Sequence, residues 1–197
     1  MVFEDRPPAQ RAADPRPART RAAIISAIDR LGSREAEVTV AAIVAEAQVS
    51  RSSFYSQFRD LDDVAVQLMD RLFRQIRQLD AELRGTQQTL KATETSLEMF
   101  LSECQRRRGL YAAVLGGNVS SEARRVIHTI VAHSVVATAS HSAPGSVDPR
   151  IASTFVAAGL LAVITEWLKA QHPVSTSELT SQLVAVLPTW VTGSVAE

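Results

Sequence analysis

The stretch from Thr39 to Val64, TVAAIVAEAQVSRSSFYSQFRDLDDV, constrains the fold more than any other, because it reads as two short helices joined by a tight turn and passed into a third. Val40, Ile43, Val44 and Ala47 share one helical face, and Thr39 before them is a capping residue. Val49-Ser50 breaks that helix and starts the next. With Ser50 as the cap, Val49 and Phe54 stand at the two positions of a hydrophobic staple, which fixes the angle at which the second helix leaves the turn. Phe58 continues the buried face. The opposite face carries Arg51, Ser52, Ser53, Tyr55, Ser56 and Gln57, short hydrogen-bonding side chains with one guanidinium, as a helix lying in a DNA major groove requires. Spacing alone leaves a plain helical hairpin open as the second reading.

The rest of the chain is also helical in pattern, and no stretch alternates long enough for a strand. Ile24, Ile25, Ile28 and Leu31 form a stripe that is expected to stop at Gly32, a residue type favoured just past a helix end. Asp60 can cap a long helix with Asp62 and Asp63 in its first turn, where the macrodipole favours acids. Its stripe of Val64, Leu68, Leu72, Ile76, Leu79 and Leu83 runs to Gly85. Further helices are expected over residues 87–103, 107–115, 120–139, 149–171 and 175–190, with loops at Gly116-Gly117-Asn118 and around Pro144-Gly145. Asp148-Pro149 and Ser175 with Glu178 are helix starts. The expected organisation is all-α. A flexible basic arm spans 1–17, a three-helix helix-turn-helix domain 18–60, and a larger helical domain 61–197, with the helix over 61–84 linking the last two.

Composition narrows the function classes. The 197 residues are 46% hydrophobic and 21% charged, as expected of a globular chain, with a formal net charge of +0, so any attraction for a polyanion must be local. Residues 1–21 carry Arg6, Arg11, Arg16, Arg19 and Arg21 against Glu4, Asp5 and Asp14, a basic excess able to lie against phosphates or a minor groove, or simply to solubilise a tail. One cysteine, Cys104, gives neither an intrachain disulfide nor a zinc pattern, so a reducing cytoplasm is the expected compartment. The first residues do not read as a secretory signal. The longest apolar run, Phe155 to Ile164, has ten residues, against roughly 20 for a membrane span. No GxSxG, GxGxxG, GK[ST] or HExxH sequence is present, and His128, His133, His141 and His172 share no ligand spacing, so no enzyme, metal or cofactor is expected.

The run AxVSRSSFYSQFRDLDDV at 47–64, behind an Arg-rich helix, resembles the DNA-binding domain of tetracycline-repressor-like (TetR/AcrR) transcriptional regulators of bacteria, over about residues 18–70. The resemblance implies a homodimeric, ligand-responsive regulator, most often a repressor, bound to palindromic operator DNA. On matching positions, Arg51 and Ser52 would face base edges with Ser53 close by, while Thr39, Tyr55, Ser56 and Gln57 would hold phosphates and Ser50 caps the helix. Two positions depart from the pattern. Gln48 stands where glycine is frequent, implying a left-handed residue at about 1 kcal/mol, and Leu61 stands where lysine is frequent.

An effector pocket is likewise implied, with Met99, Phe100, Cys104, Tyr111, His128 and Thr129 as its mainly apolar candidates; core packing explains them equally well. The apolar residues of the last two helices cover more than one face, so Phe155, Leu160, Val163, Trp167, Leu179, Leu183 and Leu187 are expected at a dimer interface, with intrachain burial as the other account. Two rival functions remain at this point. One is a redox-responsive regulator using Cys104, whose neighbours Arg106, Arg107 and Arg108 would lower a thiol pKa; the other is a helical protein-binding adaptor that does not bind DNA.

Overall fold

The computed structural model describes residues 16–34, 38–116 and 121–193, and among them there is helix and no strand. The first helix, α1 (Arg16–Ser33), buries Ile24, Ala27, Ile28 and Leu31 against the pair α2 (Val40–Ala47) and α3 (Arg51–Tyr55). Arg30 and Arg34 of the α1 end reach Glu46 of α2 at 2.5 and 3.1 Å, pinning the two helices together on the surface. The Arg30 hydrogen bond holds the Glu46 carboxyl below its ordinary range. Most of the basic arm lies outside the described residues. Its last two residues open α1, and within that helix Arg21 stacks over the Phe58 ring at 4.5 Å and donates to Gln67, so its charge braces α1.

Asp60 caps α4 (Leu61–Gly85) by accepting from the Asp63 amide at 2.8 Å. This long helix leaves the small unit and packs against α5 (Thr89–Arg106), α6 (Arg108–Leu115) and α7 (Ser121–Ser142). The pair α7 and α8 (Pro149–Lys169) closes the larger unit, with α9 (Thr176–Val186) and α10 (Thr189–Thr192) resting on α5 and α7. Asp148 and Ser175 cap α8 and α9 as their sequences require.

Two expectations are corrected. Gly32 lies inside the last turn of α1 and serves close approach, since a Cβ there would sit 2.4 Å from the Arg106 carbonyl oxygen. The final helix does not run from 175 to 190: Leu187 is extended (φ −69°, ψ 146°) ahead of Pro188, which has no amide hydrogen for a continuing helix and pushes its predecessor out of helical conformation. The ten-residue apolar run extends in the structure to a helix, α8, that is long and apolar enough to cross a membrane, although half of that span is buried in the molecule. The loop over 117–120 lies outside the described residues.

Candidate DNA-binding face and ligand cavity

The turn between α2 and α3 is built by three residues. Gln48 takes φ 54°, ψ 41°, the left-handed conformation its position implies, and its amide and that of Val49 close the α2 end on Ala45 and Val44 carbonyls. Ser50 then caps α3, its Oγ accepting from the Ser53 amide at 3.0 Å. Phe54 and Phe58 are buried, with their rings 5.8 Å apart, and Val49 packs on the same core. A five-residue helix has little stability of its own, so its orientation is set by this aromatic anchor and the capped turn.

What the anchor leaves outside is the polar set named from sequence. Arg51, Ser52, Tyr55 and Ser56 are exposed, and Ser53 and Gln57 are half-buried. The Arg51 guanidinium makes no ion pair or hydrogen bond with any described residue, leaving all its donors for another molecule. Hydroxyls of Ser52 and Ser53 each lie 2.8 Å from Ser50 Oγ, a small cluster at the helix start. Tyr55 is 56% exposed, its ring edge-on to Phe54 at 5.5 Å, which fixes where the phenol points. Ser56 Oγ donates to the Ser53 carbonyl. Thr39 Oγ1 accepts the Ala42 amide at 3.1 Å and keeps its own proton to give. Arg59, beyond the helix, is shared with Asp63 at 3.6 Å.

The small unit is tied to the larger one by charge as well as packing. Arg107 and Glu103, both under a tenth exposed, form an ion pair, and Arg107 Nε lies 2.8 Å from Asp29 Oδ1 of α1. A longer hydrogen bond accompanies that contact, from Arg107 Nη2 to Asp29 Oδ2 at 3.4 Å. Tyr111 donates to Glu103 at 3.1 Å, and Arg106 reaches the other carboxylate oxygen at 2.5 Å. Gly32 abuts the same α5 end.

A cavity of about 70 Å³ opens between α4, α5, α7 and α8, walled by Phe73, Ile76, Leu97, Phe100, Val131, Val135, Val156 and Leu160, with Leu187 and Val191 closing one side. Of the residues anticipated around an effector, only Phe100 lines it. Cys104 and Tyr111 are fully buried in packed core. Met99 packs at the core margin, His128 is half-buried, and Thr129 is exposed with its hydroxyl on the Arg125 carbonyl. Sequence reasoning missed the polar members, Arg77, Asp80, Arg84, Thr93, Ser96, Ser134 and Thr138. Arg77 and Arg84 each follow a stripe residue, Ile76 and Leu83, by one position, about 100° round the helix, so the apolar stripe read from the sequence leaves them on its flank.

The surroundings of Cys104 oppose the redox expectation. Burial pushes its thiol pKa well up, and the adjacent Glu103 carboxylate pushes further the same way. The following arginines do not lower it, because Arg107 and Arg106 are spent on Glu103. Among the described residues no group of His, Cys, Asp and Glu is arranged to hold a metal ion.

On the outer side of the larger unit, α8 presents Ile151, Phe155, Ala158, Gly159, Ala162 and Val163 in one exposed stripe, with Phe155 73% exposed. Val186 of α9 is 77% exposed beside it in sequence order, at the last position of its helix. Of the anticipated interface residues, Phe155 and Val163 face outward. Leu160, Trp167, Leu179 and Leu183 are already buried within the chain, and Leu187 is half-buried at the cavity. The period of 3.6 explains this division: Leu160 and Trp167 lie on the inner row of α8, while Phe155 and Val163 lie on the outer row.

No protein-family model and no curated protein matches the sequence. Solved structures do match in fold. The chain is similar to the fatty acid degradation regulator FadR of Bacillus halodurans, at 15% identity and a TM-score of 0.61, covering 95% of this chain and 100% of that one. It is also similar to a TetR transcriptional regulator of Streptococcus agalactiae, at 16% identity and a TM-score of 0.55, covering 87% of this chain and 95% of that one.

Proposed function

We infer that this chain is a DNA-binding transcriptional regulator of the tetracycline-repressor-like (TetR/AcrR) type. The observation that carries the reading is the α3 surface, where an unpaired Arg51, exposed Ser52, Tyr55 and Ser56, and a pre-shaped turn stand on a buried Phe54–Phe58 anchor. The all-helical fold shared with two regulators over most of the chain supports it. In this reading Arg51 donates to guanine O6 and N7, Ser52 and Ser53 touch neighbouring base edges, and Thr39, Tyr55, Ser56 and Gln57 bind phosphates. The protein is a binding protein of the cytoplasm, and its role is repression by occupancy of an operator.

The working form is a homodimer. The α8 stripe is apolar and exposed, and Ala158, Gly159 and Ala162 in its middle let a second helix approach closely, with nothing within 4 Å of a Cβ added at Gly159. Two copies related by a two-fold axis present two α3 helices to inverted half-sites, so the operator is palindromic. The effector enters the α4–α5–α7–α8 cavity. Five of the cavity's residues belong to α4, whose start follows α3 directly, so spreading the cavity shifts the recognition unit. Such coupling is typically about 1 to 3 kcal/mol.

Selection of bound duplexes from random DNA tests the core claim. Enrichment of an inverted repeat, with affinity falling steeply as salt rises, is the expected result. A protein that enriches no sequence and ignores salt is the helical adaptor instead.

A further inference from the structure

Resting on the reading of the cavity as an effector site, we propose that its ligand is a monocarboxylate with an apolar body, its carboxylate held by Arg77 and Ser96. The cavity wall is hydrocarbon apart from polar residues of α4, α5 and α7, and the charges among them, all on α4, are not equivalent. Arg84 is neutralised: its Nε donates to Asp80 at 2.8 Å, its Nη1 to the Val191 carbonyl at 3.0 Å and its Nη2 to Thr93 at 3.1 Å. Asp80 is therefore occupied as well. Arg77 differs. Its sole described partner is the Ser134 hydroxyl at 3.2 Å, with no carboxylate within ion-pair distance, and it is half-buried beside the hydrocarbon wall.

A guanidinium in that position without a counter-ion is electrostatically incomplete, and a ligand that supplies the negative charge gains more than one that supplies only apolar surface. Ser96 is the second observation. Its Oγ is buried, has no hydrogen-bond partner and lines the same cavity from α5. A hydroxyl donor and a guanidinium fork together match the two oxygens of a carboxylate: one oxygen accepts from Arg77 and the other from the Ser96 O–H. A ligand amine would meet an uncompensated like charge. An alcohol would satisfy Ser96 and leave Arg77 unpaired. The remaining walls, Phe73, Leu97, Phe100 and Val131 among them, take a hydrocarbon chain. At about 70 Å³ the space is tight, so a chain of several carbons enters by pushing α4 away from α7, the same displacement that the regulatory reading needs.

Isothermal titration of the full chain with octanoate, octan-1-ol and octylamine tests this. Octanoate is expected to bind once per chain and at least tenfold more tightly than octan-1-ol, with octylamine not binding. Arg77→Gln should bring octanoate down to the level of the alcohol and leave the alcohol unchanged. Arg77→Lys, which keeps the charge but loses the fork, should retain part of the preference and guards against a folding defect. Equal binding of acid and alcohol by the wild type, no octanoate binding at all, or an Arg77→Gln variant that still prefers the acid overturns the carboxylate assignment. The effector reading fails separately, on a second readout: octanoate or octan-1-ol binding in the cavity without any change in affinity for the selected duplex.

Discussion

At the scale of single residues, the exposed polar face of α3 was legible in the sequence because caps, staples and aromatic anchors are local. Ser50, Val49 and Phe54 declare the start and the inner face of α3 within five positions, and the outer face follows by exclusion. The cavity was not legible in this way. Cys104 and Tyr111 have the chemistry of a pocket but point into packed core, while Arg77 and Ser96 look like ordinary surface polar residues until α4, α5 and α7 are brought together. Two predictions belong here. Arg51→Ala should weaken binding to the selected duplex by about 1 to 3 kcal/mol and relax preference at one base pair per half-site, whereas Tyr55→Phe should weaken all sequences alike, both measured by fluorescence anisotropy. An Arg51→Ala protein with unchanged selectivity removes that residue from base reading. The second concerns Cys104. A thiol whose pKa is raised by burial and by Glu103 holds almost no thiolate at neutral pH, so its labelling by a disulfide reagent should be slow and follow the opening of the fold. Fast stoichiometric labelling of the native protein, together with oxidant-driven release of DNA abolished by Cys104→Ser, would restore the redox mechanism.

Elements were placed well where punctuation is strong and poorly where tertiary contact decides. Asp60, Asp148 and Ser175 marked true helix starts. Pro188 carried an equally strong stop signal that the apolar pattern across it obscures. Gly32 illustrates the other failure, because a glycine at a helix end and a glycine under a neighbouring backbone look identical in sequence. Its contact with the Arg106 carbonyl, with the Asp29–Arg107–Glu103 cluster beside it, is the seat of α1 on α5 and α6. Gly32→Ala forces a Cβ into a position 2.4 Å from that carbonyl oxygen, so α1 must shift. The expected loss is about 1 to 3 kcal/mol in urea unfolding, the usual cost of overpacking. Arg107→Met leaves Glu103 buried with its principal partner gone, at about 3 to 5 kcal/mol. The variant Arg107→Met with Glu103→Leu should recover part of that loss, since the apolar pair needs no counter-charge although the buried Tyr111 hydroxyl loses its acceptor. If both single and double variants unfold at the wild-type midpoint, the cluster does not hold the joint.

For the molecule as a whole, one question is which apolar surface belongs to the chain and which is left for a second copy. The sequence showed only that α8 and α9 have more apolar residues than one face needs. The fold divides them: Leu160, Trp167, Leu179 and Leu183 are consumed inside, and Ile151, Phe155, Val163 and Val186 remain outside. An exposed large apolar stripe with small residues at its centre is what a close helix–helix contact across a two-fold axis requires, and a homodimer is in turn what two inverted half-sites require. The division makes the two sets separable by mutation. Phe155→Arg places a charge on a surface that is open in the monomer, so the variant should fold with a near-normal unfolding midpoint, sediment as a monomer, and lose its preference for the inverted repeat over a single half-site. Leu183→Arg places the same charge in the intrachain core and should unfold the chain instead, visible as loss of helical circular dichroism. A wild-type protein that sediments as a monomer at micromolar concentration, or a Phe155→Arg variant that remains dimeric, would remove α8 as the dimer seam and the palindromic operator with it.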